Sequence, residues 1–455
     1  MVRPGEARPR AAAVAAIAAS ALVCAGFCAG CGALANAGHE QKGDSNLPSA
    51  GVAPWDKVDL DGDPTNLIQP WLFESSGAGD VLDEPALVHD GSSYTLFYQR
   101  SGDSRSAGIW RTAAGTPEDL YHAGPGGRVM TASAAWEAGH VGAPSLLVGD
   151  AASGSDRLAL WYEGGDAAGI GFATSADGET WSKRGAPVLV PDQDWEAGWV
   201  ASPTVVRMGD ELWLWYEGGG GTGIGFARSP DGITWVKEDA AGHRSGGGAH
   251  DVQPVFTPSL AWEGASVPSL APGRVGRPNV AVDLDLHPPR LGLYYTGFVP
   301  IASNPLADAE QPDATPGSVN QSIGYAASLD GVHWTRADPG INPIVAEKTP
   351  VQLGSVPFPP QFAAQLPRVV LDVLDAVLGV GDDGNPKIPA LETVIDEGAA
   401  SVIPDGPNHF VMVFTQGNSL FVPLAIDLPP SSVTTPLGLL VQDTTAGIAL
   451  ARNRP

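Results

Sequence analysis

Cysteine is almost missing from this chain: 455 residues hold three, Cys24, Cys28 and Cys31, all near the start. The remainder can form no disulfide and no cysteine-based zinc site. A chain of this length needs no such staples, because a large domain buries enough apolar surface unaided. Positive charge is also scarce. With 25 Lys and Arg against 51 Asp and Glu, the formal net charge is −26, which argues against binding nucleic acid or anionic lipid through a basic face. Beyond Ala11–Phe27 no long apolar run offers a membrane span. What is plentiful is glycine (58), proline (41) and tryptophan (13), the composition of many short strands joined by tight turns.

Arg3, Arg8 and Arg10 precede the 17-residue apolar run, and small residues follow in Cys28-Ala29-Gly30-Cys31. That order describes an export signal, with an ordinary signal peptide as the bland reading. Ala29-Gly30-Cys31 also resembles the cleavage site of bacterial lipoproteins, although Cys28 stands where leucine is usual. The resemblance implies removal of residues 1–30 and lipidation of Cys31. Residues 31–50 would be a small-residue tether, holding residues 51–455 to the bacterial cell envelope with the lipid as the sole membrane contact.

Internal repetition organises the rest. Gly142-Ala143-Pro144-Ser145 matches Ala201-Ser202-Pro203-Thr204, and Leu160-Trp161-Tyr162-Glu163-Gly164 matches Leu214-Trp215-Tyr216-Glu217-Gly218. Gly169-Ile170-Gly171-Phe172 matches Gly223-Ile224-Gly225-Phe226, and Ser175-Ala176-Asp177-Gly178-Glu179-Thr180-Trp181 matches Ser229-Pro230-Asp231-Gly232-Ile233-Thr234-Trp235. Such units have the length of propeller blades. Each reads as four strands, the last hairpin turning at Asp-Gly, which supplies the positive φ a tight turn needs. Fainter copies at Pro85, Pro278 and Ala399 bring the count to five. The last copy lacks its outer strand, and the segment from Trp55 to Trp71 resembles that strand. The expectation is an all-β, five-bladed propeller of four-stranded antiparallel blades, closed by an N-terminal outer strand. Residues 302–319 read as a long loop. Residues 350–392 read as an insertion with one helix, from the apolar spacing between Phe362 and Leu378.

Five blades, strands opening after X-Pro and Ser-x-Asp-Gly-x-x-Trp turns resemble the arabinanase, β-xylosidase and invertase group of glycoside hydrolases. That chemistry needs two carboxyl groups flanking the glycosidic bond. The resemblance implies that they stand one or two positions before the proline of the innermost strands. Blade one offers Asp83 and Glu84 there, but blade two offers Gly142 and Ala143, blade three Ala201 and Ser202, and blade four Gly276 and Arg277. Only the first keeps an acid, so the chain departs from the two-carboxylate pattern. Glu84 is the candidate base with Asp83 beside it, and Glu217 the candidate acid.

A recurring Gly-x-Val before each innermost strand varies its middle residue: Asp80, His140, Trp199 and Arg274. Together with Arg277, Glu163 and Glu217 these suit an asymmetric pocket, because carboxylates, cations and an aromatic platform match a sugar's hydroxyls and apolar face. The bland alternatives are specific too. Glu163 and Glu217, repeated in Tyr-Glu-Gly, read as acceptors for glycine-loop amides. Trp136-Glu137, Trp195-Glu196 and Trp262-Glu263 read as structural, and Trp161, Trp213 and Trp215 as packing between blades. No metal site or cofactor is assigned, although the resembling group does hold channel-centre ions. The expected partner is an oligo- or polysaccharide, bound without the usual hydrolysis. A hydrolase with relocated acid and base, and a structural or protein-binding propeller, are the alternatives.

Overall fold

The computed structural model describes residues 55–58, 60, 72–74, 81–102, 107–150, 152, 154, 156–246, 251–263, 273–283, 289–299, 320–337, 351–352, 392–406, 409–424 and 437–453. Asp80, the loop of 302–319 and the inserted helix expected between Phe362 and Leu378 lie outside them, as do Cys31 and the tether.

Two short strands, β1 (Trp55–Lys57) and β2 (Phe73–Glu74), precede the blades. Blade one is β3 (Val81–His89), β4 (Tyr94–Ser101), β5 (Gly108–Ala114) and β6 (Gly127–Met130), with a helical turn, α1 (Leu120–Ala123), between its last two strands. Blade two is β7 (Val141–Val148), β8 (Leu158–Gly164), β9 (Gly169–Ser175) and β10 (Ser182–Lys183). Blade three is β11 (Val200–Met208), β12 (Glu211–Gly218), β13 (Gly223–Ser229) and β14 (Val236–Lys237). Blade four is β15 (Arg274–Asp283), β16 (Arg290–Val299), β17 (Asn320–Ser328) and β18 (Thr335–Arg336). After β19 (Val351–Gln352), blade five is β20 (Glu392–Pro404), β21 (Phe410–Leu424) and β22 (Leu437–Asn453). All the pairings within blades one to four are antiparallel neighbours in sequence.

Blade five is completed from the other end of the chain. β1 pairs with β22, Trp55 opposite Asn453 and Lys57 opposite Ala451, and β2 pairs further along the same strand, Phe73 opposite Ile448. This joins first and last strands as expected, and it covers an edge that would otherwise be open to another chain.

Contacts divide the chain into two units. The propeller lies in Glu40–Val351, Val394–Leu420 and Gln442–Pro455; the other unit is Met1–His39, Gln352–Thr393 and Phe421–Val441, of which only strand residues are described.

Within the propeller, packing closes the ring independently of the hydrogen bonds. Apolar clusters fill the spaces between blades one and two (Phe97, Ile109, Leu160), two and three (Trp161, Phe172, Leu214) and three and four (Trp215, Phe226, Leu293). Others lie between four and five (Tyr294, Met412, Phe414), and five and one (Leu96, Val411, Ile448). The second strands are apolar on both faces because each is covered by a blade on either side. Trp161 and Trp215 are fully buried, and each indole donates to the next blade's Asp-Gly turn, at Gly232 and Gly331 (both 2.8 Å). Those glycines have φ of 76° and 80°, the left-handed backbone that explains the Asp-Gly signature.

The innermost strands are tied by a second ring of hydrogen bonds. Side-chain oxygens of Ser145, Thr204, Asn279 and Ser401 accept the N–H of Val205, Val280, Val402 and Leu87, each on the following blade. Blade one has Ala86 at the corresponding place and offers Leu146 no such oxygen. Ala86→Ser is therefore expected to complete the ring and raise stability by about 0.5–1.5 kcal/mol, measured by urea unfolding. An unchanged or lower midpoint would show that the Leu146 amide is already satisfied.

Candidate functional site

The chemistry-bearing residues are positioned by a bulge that interrupts the pairing of the innermost strand at one level in each of blades one to four. Register shifts lie between Asp83 and Ala86, Gly142 and Ser145, Ala201 and Thr204, and Gly276 and Asn279. The residue at each bulge is left-handed: Glu84 (φ 49°), Ala143 (43°), Ser202 (45°), Arg277 (49°) and, in blade five, Ala399 (47°). Such a backbone costs a non-glycine residue on the order of 1–3 kcal/mol, so something must hold it.

What holds it is the polar residue that directly follows the aromatic stretch of the preceding blade's second strand. Gln99 accepts the N–H of Ala143 (3.0 Å), Glu163 that of Ser202 (3.4 Å), Glu217 that of Arg277 (2.9 Å) and Thr296 that of Ala399 (2.9 Å). Glu163 and Glu217 thus serve the next blade's bulge rather than the glycine loops. Gly142 and Gly276 are glycines for this reason: a Cβ there would lie 1.9 Å from Gln99 Oε1 and 2.0 Å from Glu217 Oε2.

The bulges turn their side chains toward one another across the ring. Arg277 of blade four meets Asp83 of blade one through Nη2 (2.9 Å) and Glu84 through Nε (3.1 Å). Its Nη1 reaches Gln321 Oε1 (3.0 Å) and, at 3.4 Å, Asp83 Oδ1. Ser202 of blade three donates its hydroxyl to Glu84 Oε1 (3.0 Å), and Thr415 of blade five donates to Asp83 Oδ1 (2.8 Å). Four blades thus meet at one point. Below it the innermost strands enclose a cavity of about 500 Å³, lined at this end by Glu84, Ala143 and Arg277 and at the other by His89, Arg207 and Pro404.

Electrostatics follow from the crowding. Burial pushes the Glu84 carboxyl up to about 8, opposed by Arg277 and reinforced by Asp83, Glu163 and Glu217. Burial likewise raises Glu217, against the pull of Arg277 and Arg274. Burial disfavours the Arg277 charge, but Asp83 and Glu84 outweigh it and hold the guanidinium protonated. Beside the cluster, His140 Nε2 stands 3.3 Å from Glu163 Oε1, which raises the imidazole above its ordinary value in spite of burial. Arg274 donates to the carbonyl of Gly220 (2.7 Å) and shares the face of Phe298 with Arg277. Trp199 is half-buried, fixed by its own N–H to Glu196 O (2.8 Å) and by its carbonyl, which accepts from Gly219.

Of the residues read from sequence, the structure brings Asp83, Glu84, Arg277 and, through backbone N–H groups, Glu163 and Glu217 into one network, with His140 joined through Glu163. Ser202, Thr415 and Gln321 belong to it and were missed as contributors. For Ser202 the signal was present, since it occupies the same pre-proline position as Glu84 and Arg277; Thr415 follows the aromatic strand of blade five just as Glu163 and Glu217 do.

The three Trp-Glu loops form a different kind of centre. Glu137, Glu196 and Glu263 are completely buried. Each accepts a tyrosine hydroxyl (Tyr162, Tyr216, Tyr295, at 2.6–2.7 Å) and pairs with a cation from the blade's outer strand (Lys183, Lys237, Arg336). Two backbone N–H groups complete each carboxylate. Three copies in three blades make these latches rather than a binding site.

The molecule is a five-bladed propeller with a polar, carboxylate-rich cluster at one end of its central channel. No protein-family description and no curated protein matches the chain. Among solved structures it is similar to one described as a glycoside hydrolase, at 14% identity and TM-score 0.48 over 89% of this chain and 93% of that one. It is also similar to the catalytic domain of the Coprinopsis cinerea GH62 alpha-L-arabinofuranosidase, at 11% identity and TM-score 0.46 over 88% and 97%. A third is the beta-fructofuranosidase from Schwanniomyces occidentalis, at 12% identity and TM-score 0.43 over 82% and 63%. At such identities the likeness is one of fold alone.

Proposed function

We propose that this protein binds carbohydrate at the cell surface, through the bulge-ringed end of its channel, without cleaving it by the two-carboxylate mechanism. The observation that carries the reading is the occupation of the carboxylates. Asp83 and Glu84 come from adjacent positions of one strand and share one guanidinium, so they do not stand on opposite sides of a sugar. The places on blades two and three that could supply an opposing acid are Gly142-Ala143 and Ala201-Ser202. Glu163 and Glu217, on those blades, are engaged in holding bulges. What remains suits recognition: acceptors, two arginines, a histidine and the partly accessible Trp199, on which a sugar's apolar face can stack.

The test is retardation in gels containing neutral polysaccharides. Trp199→Ala and Arg274→Ala are expected to weaken retention at least about tenfold, the loss of one good contact, while the melting temperature stays within a few degrees of the parent. Undiminished retention in both variants would place the binding surface elsewhere.

Surface attachment rests on Ala29-Gly30-Cys31 after the apolar run. Cys31→Ser is expected to move the protein from the membrane to the soluble fraction, scored by fractionation and metabolic lipid labelling. Identical soluble behaviour of both forms would remove the lipid anchor.

A further inference from the structure

We propose that Glu84 works in this site as a neutral carboxylic acid, donating an O–H through Oε2 to a hydroxyl or ring oxygen of an uncharged glycan. The proposal rests on the carbohydrate reading above.

The geometry that separates Glu84 from Asp83 is the distribution of donors. Asp83 accepts the Glu84 N–H (2.8 Å), the Thr415 hydroxyl (2.8 Å) and Arg277 Nη1 (3.4 Å) on Oδ1, and its Oδ2 lies in an ion pair 2.9 Å from Arg277 Nη2. Glu84 takes the Ser202 hydroxyl and Arg277 Nε on Oε1 alone. Among the described residues Oε2 has no donor, and Glu84 keeps 16% of its side chain accessible where it borders the cavity.

Charge matching agrees. Arg277 grips Asp83 by two nitrogens and Glu84 by one, Arg274 attracts Glu217, and His140 lies against Glu163. Among these described groups one carboxylate is left in excess, and burial raises the Glu84 carboxyl to about 8. A proton on Oε2 removes the excess charge and turns an acceptor into a donor. The remaining carboxylates disfavour uronate-rich polymers, which would bring like charge into a buried site.

Two measurements test this, on the full protein. In infrared difference spectra between the parent and Glu84→Gln, a protonated-carboxyl stretch is expected at pH 6.5 and should vanish by pH 9.5. Its absence at pH 6.5 overturns the proposal. In titrations with neutral arabino-, fructo- and cello-oligosaccharides, affinity should hold below pH 8 and fall about tenfold per pH unit above it, the slope of a single proton. Glu84→Gln, which carries an amide donor, should flatten that slope, and Glu84→Ala should bind more weakly than either at pH 6.5. Binding that strengthens with pH, or the same slope in Glu84→Gln, overturns the donor role. If the infrared band is present but none of the sugars binds the parent at any pH, the carbohydrate reading fails and Glu84 is still a neutral acid.

Discussion

Replacing Arg277 with methionine is expected to destabilise the propeller by about 3–5 kcal/mol at pH 8, the range found when one partner of a buried ion pair is removed. Among the described residues, Arg277 is the one side chain paired with both Asp83 and Glu84 of blade one, and its own backbone N–H is held by Glu217 of blade three. Methionine keeps the length and loses the charge, leaving three carboxylates crowded around an apolar group. The sign of the pH effect follows. Without the guanidinium, which opposes the upward shift, the folded-state pKa of Glu84 rises further above its unfolded value. Stability is then retained at low pH and lost as pH climbs toward the raised value. The deficit against the parent should therefore be largest near pH 8 and shrink toward pH 5. Arg274→Met serves as the comparison, since that guanidinium bonds a backbone carbonyl, and it should cost far less. Denaturant melts at the two pH values decide it. A loss below about 1 kcal/mol for Arg277→Met would mean that solvent screens the cluster.

A comparable loss, about 3–5 kcal/mol, is expected for Glu196→Ala. Glu196 is completely buried and satisfies Tyr216 (2.6 Å), the backbone N–H groups of Asp192 and Gln193 (2.8 and 2.9 Å) and Lys237 Nζ (2.7 and 2.8 Å). Lys237 is itself 3% exposed. Removing the carboxylate leaves the buried ammonium with Asp192 and the Val190 carbonyl alone, both on its surface side. Glu196→Gln should be milder, since one oxygen can still accept. The paired change Glu196→Ala with Lys237→Met should recover part of the loss, because it removes the under-compensated buried charge as well as its partner. If the double variant is no more stable than the single one, the ion pair is not what the buried carboxylate contributes.

The architecture was readable because propeller blades repeat their turn chemistry. Ser-x-Asp-Gly-x-x-Trp fixes a hairpin locally, whatever the neighbouring blade does, and an outer strand missing at one end of the chain could be matched with Trp55 at the other. The site was readable only as positions. That Asp83, Glu84 and Arg277 precede prolines is visible in sequence; that Glu84 and Arg277 are left-handed and face each other across the channel is not, because the bulge is created by pairing with another strand. The same limit misassigned the partners of Glu163 and Glu217. Sequence shows a carboxylate beside a glycine loop, whereas the amide that each accepts belongs to the next blade, far along the chain. The trace left in the sequence was small: glycine at positions 142 and 276, where a side chain would collide with the incoming acceptor.

The most direct measurement of the central claim is incubation of the purified protein with a panel of neutral plant and microbial polysaccharides, scoring bound polymer and released reducing sugar in the same samples. Retention of at least one polymer with no sugar released over a day, and loss of that retention in Trp199→Ala, is the result expected of a propeller that recognises glycans with its acids otherwise engaged. Steady release of sugar that stops in Glu84→Gln would contradict it, and would make this cluster the centre of a hydrolase.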